Sequence, residues 1–172
     1  MASLRPHDVA VALQLAVTPG MPYRALAEAV GLSQGEAHNV VRRLAAARLV
    51  RPDTRTVHPG ALLEFLRGGV PYVFPADLGP ETRGVPTAHA APPLAAEFPD
   101  AEPVVWPAVD GNRRGAAVEP LYAAAPATAR NNPPLYELLT LVDALRVGRA
   151  RERQRARAVL QDRLTAAAAP HR

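Results

Sequence analysis

The 172-residue sequence predicts an α+β protein. Its head is three helices closed by a basic β-hairpin, its middle is irregular and proline-rich with a second β-hairpin, and its C-terminal part is helical. Three observations predict this. Apolar residues recur at helical spacing near both ends of the chain. The 19 prolines gather in the middle, where helix interiors and central strands do not tolerate them. Short β-prone runs flank turn sequences at Pro52-Asp53-Thr54 and at Asp110-Gly111-Asn112. The resulting division is 1–67, 68–133 and 134–168.

In the head, Asp8 to Val17 places Val9, Leu13, Ala16 and Val17 at helical spacing behind Pro6, and Thr18-Pro19-Gly20 stops the helix. A second helix over Pro22–Val30 buries Leu26, Ala29 and Val30 and ends at Gly31, which suits a left-handed cap. Ser33 and Glu36 then form a capping box that opens a third helix, with apolar face Ala37, Val40, Val41, Leu44 and Ala47.

The opposite face of that helix holds Gln34, Gly35, His38, Asn39, Arg42 and Arg43. Gln34 and Asn39 carry amides that fit adenine in a bidentate way, and Arg42 reaches guanine or phosphate. Gly35 lets the helix N-terminus approach a phosphate closely. The next hairpin carries Arg51 and Arg55 near its tip, where they would meet the duplex backbone or minor groove.

The stretch YRALAEAVGLSQGEAHNVVRRLAAARLVRPDTRTVHP resembles the winged helix-turn-helix of MarR-like bacterial transcriptional regulators. The resemblance rests on Ala27, Gly31, Leu32-Ser33, Val40 and Leu44, followed by a Leu-Val strand into the wing, and covers about a third of the chain. It implies DNA binding by the third helix, with Tyr23 and Arg24 near phosphate at the start of the second.

Beyond the wing, Gly60–Leu66 reads as a short amphipathic helix and Pro71–Pro75 as an edge strand. Residues 75–100 read as an ordered loop. A catalytic reading would need His89 to meet a carboxylate such as Glu97, Asp100 or Asp110. No nucleophile elbow, phosphate-cradling glycine loop or metal-ligand spacing appears. Val104 to Tyr122 reads as a hairpin about Asp110-Gly111-Asn112, with Trp106 packed on a neighbouring surface and Arg113 and Arg114 beside the tip.

A helix opening at Pro133-Pro134 carries Leu135, Leu138, Leu139, Val142 and Leu145, a stripe expected to pair two copies of the chain. Past Gly148, Arg149, Arg151, Arg153, Arg155 and Arg157 alternate along the sequence and so surround a helix.

All 20 basic residues are arginine, and the net charge is +4. Residues 1–60 carry seven arginines against four acids and residues 134–172 eight against four, so nucleic-acid contact belongs at the ends. Without cysteine there are no disulfides and no thiolate metal sites. With no secretory signal and no apolar run of membrane length, a cytoplasmic location away from membranes is expected. The functional expectation is a sequence-specific DNA-binding regulator. It would act as a homodimer on half-sites about one helical turn (~34 Å) apart. No enzyme activity, cofactor or metal is expected. The alternative is a winged helix used as a protein-interaction module, an antitoxin or a scaffold for a partner enzyme.

Overall fold

The computed structural model describes residues 3–169 and is mixed α+β. The helices α1 (Pro6–Val17), α2 (Tyr23–Val30) and α3 (Gln34–Ala46) lead into a two-stranded antiparallel pair, β1 (Val50–Arg51) and β2 (Thr56–Val57). There follow α4 (Pro59–Gly68), α5 (Val70–Val73), the strands β3 (Glu81–Pro86), β4 (Val104–Pro107) and β5 (Arg113–Ala117), and the short α6 (Thr128–Asn131). The helices α7 (Pro133–Val147) and α8 (Ala150–Ala168) complete the chain. No described helix is long and apolar enough to cross a membrane.

The core is built around α1. Every residue from Asp8 to Ala16 is buried, not one face alone. The sequence Val9-Ala10-Val11-Ala12-Leu13 is apolar all round, and such a helix must be covered on every side. Helices α2 and α3 cover part of it, and α7 and α8 cover the rest. Gln14, the polar residue within this run, is satisfied: its carbonyl accepts from Asn132 Nδ2 at 2.7 Å, and Asn132 also donates to the Ala29 carbonyl at 3.0 Å. One side chain thus joins α1, the end of α2 and the N-cap of α7.

This arrangement overturns the expected dimer seam. Leu135, Leu138, Leu139, Val142 and Leu145 all lie buried in the chain's own core, where α7 covers α1. The hydrophobic core runs without interruption through all three segments of the sequence. Gly148 separates α7 from α8, which packs back through Ala156, Leu160 and Leu164.

The middle differs most from expectation. Pro71–Pro75 is not an edge strand. Val73 and Phe74 donate to the carbonyls of Gly69 and Val70 at 2.9 Å, closing the turn α5. Pro71 suits the start of a helix, where no amide donor is needed. Nor do the arms about Asp110-Gly111-Asn112 form a hairpin. Strand β3, in a segment expected to be loop, pairs antiparallel with both β4 and β5, and these two meet in parallel at Val104↔Ala116 and Val105↔Ala117. The three strands close into a small ring. Glycine permits it: a Cβ on Gly84 would stand 2.0 Å from the Trp106 carbonyl oxygen, and one on Gly111 2.2 Å from the Gly84 backbone.

The ring is fastened to α7 by Asp143. Its buried carboxylate accepts from Thr87 Oγ1 at 2.7 Å, Trp106 Nε1 at 2.6 Å and Arg146 at 2.8 Å. Burial pushes this carboxyl up, while Arg146 and the hydrogen bonds pull the other way. Trp106, expected only to pack, is an anchor.

Because the leucine stripe is core, Leu139→Ala should cost about 2–5 kcal/mol. Urea denaturation checks this.

Candidate nucleic-acid interface

Helix α3 has one face fixed and one free. Gly31 ends α2 at φ +82°, and the Ser33 hydroxyl accepts the Glu36 amide at 3.1 Å. From that start Ala37, Val40, Val41 and Leu44 point into the core. Gln34, Gly35, His38, Asn39 and Arg42 are exposed on the other side. Gln34, His38 and Arg42 recur every four residues, so they follow one strip of the helix surface.

Arg43 is not on that surface. It is 8% exposed, with its guanidinium turned inward onto Asp8, itself 1% exposed. Nε and Nη2 each donate to one Asp8 carboxylate oxygen at 2.8 Å, and Nη2 also reaches Glu36 Oε1 at 2.9 Å. The bidentate fit of guanidinium to carboxylate favours this over a solvent contact. Hydrogen bonding to Asp8 pushes the Arg43 guanidinium further above its ordinary range.

The same pair takes half of the expected capping box. The serine half forms, but the Glu36 carboxylate turns to Arg43 and to His7 Nε2, 2.9 Å away. The hydrogen bond from Arg43, and then that from His7, hold the Glu36 carboxyl down to about 2. His7, Asp8, Glu36 and Arg43 together bolt α3, through its first and last turns, to the first turn of α1. The sequence signal for this was Asp8, an acid opening an otherwise apolar helix.

At the start of α2, the Tyr23 ring stacks on His38, with centroids 4.0 Å apart and planes inclined by 18°. The Arg55 guanidinium also lies over the Tyr23 ring, 5.2 Å from its centre. Arg55 was expected to reach outward from the wing tip. Instead its Nε donates to the Met21 carbonyl at 2.7 Å, while the Arg55 carbonyl accepts the Gly20 amide at 3.1 Å. The residue takes φ +51°, bending the strand connection back onto the α1–α2 turn. It positions the β1–β2 pair.

Arg24 is exposed and within 3.5 Å of Glu28, a surface pair of little energetic weight. Arg51 is exposed on β1 opposite Thr56, beside a cleft of about 320 Å³ formed with Ala16, Pro19, Pro59 and Leu164. One cation was missed: Arg48, exposed at φ +62° between α3 and β1. Arg24, Arg42, Arg48 and Arg51 are thus the exposed arginines of α2, α3 and the first strand, with Glu28 and Asp53 the exposed acids among them.

The groups weighed for catalysis lie apart. His89 is buried with Nε2 2.7 Å from the Glu102 carbonyl, and its carboxylate neighbour is Glu152 at 3.4 Å. Glu97 pairs with Arg155 and Asp110 with Arg130. No metal-ligand cluster of three or more side chains occurs among the described residues.

Arg43→Ala should cost about 3–5 kcal/mol, because it strands a buried carboxylate, whereas Arg42→Ala should change stability by no more than ~0.5 kcal/mol. Denaturant titration of both checks the difference. The Glu36 carboxyl is lower in the folded chain than its ordinary 4.5, so its contribution is present above 4.5 and lost as pH falls towards about 2. Glu36→Gln should flatten the stability profile in that interval. Compared with protein-family models, curated proteins and solved structures, the chain gives no match.

Proposed function

We propose that the chain is a sequence-specific double-stranded-DNA-binding transcriptional regulator. It is built on a winged helix-turn-helix, with α3 as the recognition helix and the β1–β2 pair as the wing. The observation that carries this reading is the outer face of α3. Gln34, Asn39 and Arg42 stand exposed and make no side-chain hydrogen bond among the described residues, while the inner face of the same helix is anchored by apolar packing and the Arg43 cluster. A fixed helix presenting free amides and a guanidinium has the donors and acceptors that major-groove base edges require. The resemblance to MarR-like regulators agrees with this assignment.

In this reading Gln34, Asn39 and Arg42 contact base edges, Ser33 and Gly35 admit a phosphate to the α3 N-terminus, and Arg24, Arg48 and Arg51 hold the backbone. Tyr23 and His38 support one another as a stacked pair at the edge of the groove. Arg55 acts through Tyr23 and the α1–α2 turn as a positioning residue. Binding needs no cofactor. Two copies on half-sites about 34 Å apart is the usual arrangement for such modules, and here they would meet through a surface other than the leucine stripe.

A second reading, a protein-interaction module, draws on Tyr72 and Val73 of α5 and Leu78 after it, apolar side chains 77%, 58% and 54% exposed. Salt dependence separates the two. DNA binding releases counterions and weakens steeply with salt, whereas docking through these apolar groups does not.

Electrophoretic titration tests the DNA reading, using the duplex upstream of the chain's own coding sequence against a scrambled duplex of equal composition. Asn39→Ala should lose about 1–3 kcal/mol on the upstream duplex and little on the scrambled one. Arg51→Ala should weaken both alike. Equal losses for both variants on both duplexes would contradict base reading by α3.

A further inference from the structure

Helix α1 begins at Pro6 beside a hollow of about 530 Å³, a volume in the range of small-molecule sites. Its lining comes from the chain leaving α5, from Glu119 to Leu121, and from Arg146 near the end of α7. Val73, Phe74 and Leu121 supply apolar surface. The ionisable residues of the lining are Asp77, Glu119 and Arg146.

Arg146 is the buried member, its side chain only 5% exposed. Its Nε donates to the Phe74 carbonyl at 2.8 Å. Its Nη1 donates to Asp143 Oδ1 at 2.8 Å and to the Glu119 carbonyl at 3.3 Å. Nη2 is a donor as well, and it takes no partner among the described residues. A buried cation with an idle nitrogen needs an acceptor that the chain does not supply. Asp77 and Glu119 are exposed, and neither carboxylate enters an ion pair among the described residues. The chain as a whole carries +4, so two unpaired carboxylates in one hollow run against its general charge and draw a cation there.

We infer that this hollow binds a small zwitterion, an apolar α-amino acid. The ligand carboxylate accepts from Arg146 Nη2, and the ligand ammonium lies against Asp77 and Glu119. The ligand side chain packs on Val73, Phe74 and Leu121. Because Arg146 already meets the Glu119 carbonyl, the donor and that acidic residue stand close enough for one small molecule to span them. Pro6 precedes His7 and Asp8, so the site abuts the turn that holds α3. The inference does not rest on the DNA reading, and a chain that binds no duplex would leave it standing.

Isothermal titration calorimetry of the full chain with L-leucine tests it. The comparison ligands are leucine methyl ester, which lacks the anionic charge, and isocaproate, which lacks the ammonium. L-Leucine should bind saturably and each analogue about tenfold more weakly, the loss expected when a charge-assisted hydrogen bond goes unmade. Asp77→Asn/Glu119→Gln should weaken L-leucine by about tenfold and isocaproate not at all. Its thermal melt should be unchanged, since both residues are exposed. Arg146 is left intact because it also holds Asp143. Absence of binding for both L-leucine and L-phenylalanine would overturn the site. Ester or isocaproate binding as tight as that of L-leucine would overturn the zwitterion. Full L-leucine affinity in the double variant would place the amino acid elsewhere and overturn it too.

Discussion

Asp8 sits in the first turn of α1 with its carboxylate almost wholly withdrawn from water, and such a charge persists in a core only when paired and hydrogen-bonded. Arg43 supplies both bonds from the far end of α3, thirty-five residues later. The guanidinium then reaches Glu36 and stands beside His7, closing a cluster across the junction of two helices. Apolar packing of Val40, Val41 and Leu44 turns one face of α3 inward. The bidentate pair locks that orientation, with Gln34, His38, Asn39 and Arg42 facing outward.

The rest of the molecule supports this junction. Helix α1 is apolar all round, so it needs α7 and α8 as cover on the side that α2 and α3 leave open. Asn132 binds Gln14 and the end of α2 together, and Tyr122 ties Val30 to the segment that follows the ring. Asp143 does for the ring what Asp8 does for α3, receiving Trp106, Thr87 and Arg146 in a buried site. Two buried carboxylates, each hydrogen-bonded, thus hold α3 and the β-ring in place.

Much of the head was legible in the sequence because its signals are local. Gly31 as a left-handed cap, Ser33 as an N-cap and the apolar face of α3 each follow from a few adjacent residues. The failures share one cause: a distant partner outbid a local preference. Arg43 and Arg55 look like surface cations until Asp8 and the Met21 carbonyl are near. The leucines of α7 look like a dimer seam until α1 is seen to need covering. Asp110-Gly111-Asn112 is a good hairpin turn, but both arms pair antiparallel with β3 and meet each other only in parallel, so no hairpin closes about it. Strand β3 itself, with Gly84 and Pro86 in six residues, carries almost no periodic signal.

What remains is whether the free face of α3 reads bases. The most direct measurement is selection of duplexes from a randomised pool by the full chain, followed by guanine-N7 methylation interference on the recovered sequences. If α3 reads bases, the recovered duplexes share a short motif in which methylation on the major-groove side blocks binding. Recovered duplexes without a common motif, or binding indifferent to N7 methylation throughout, would contradict it.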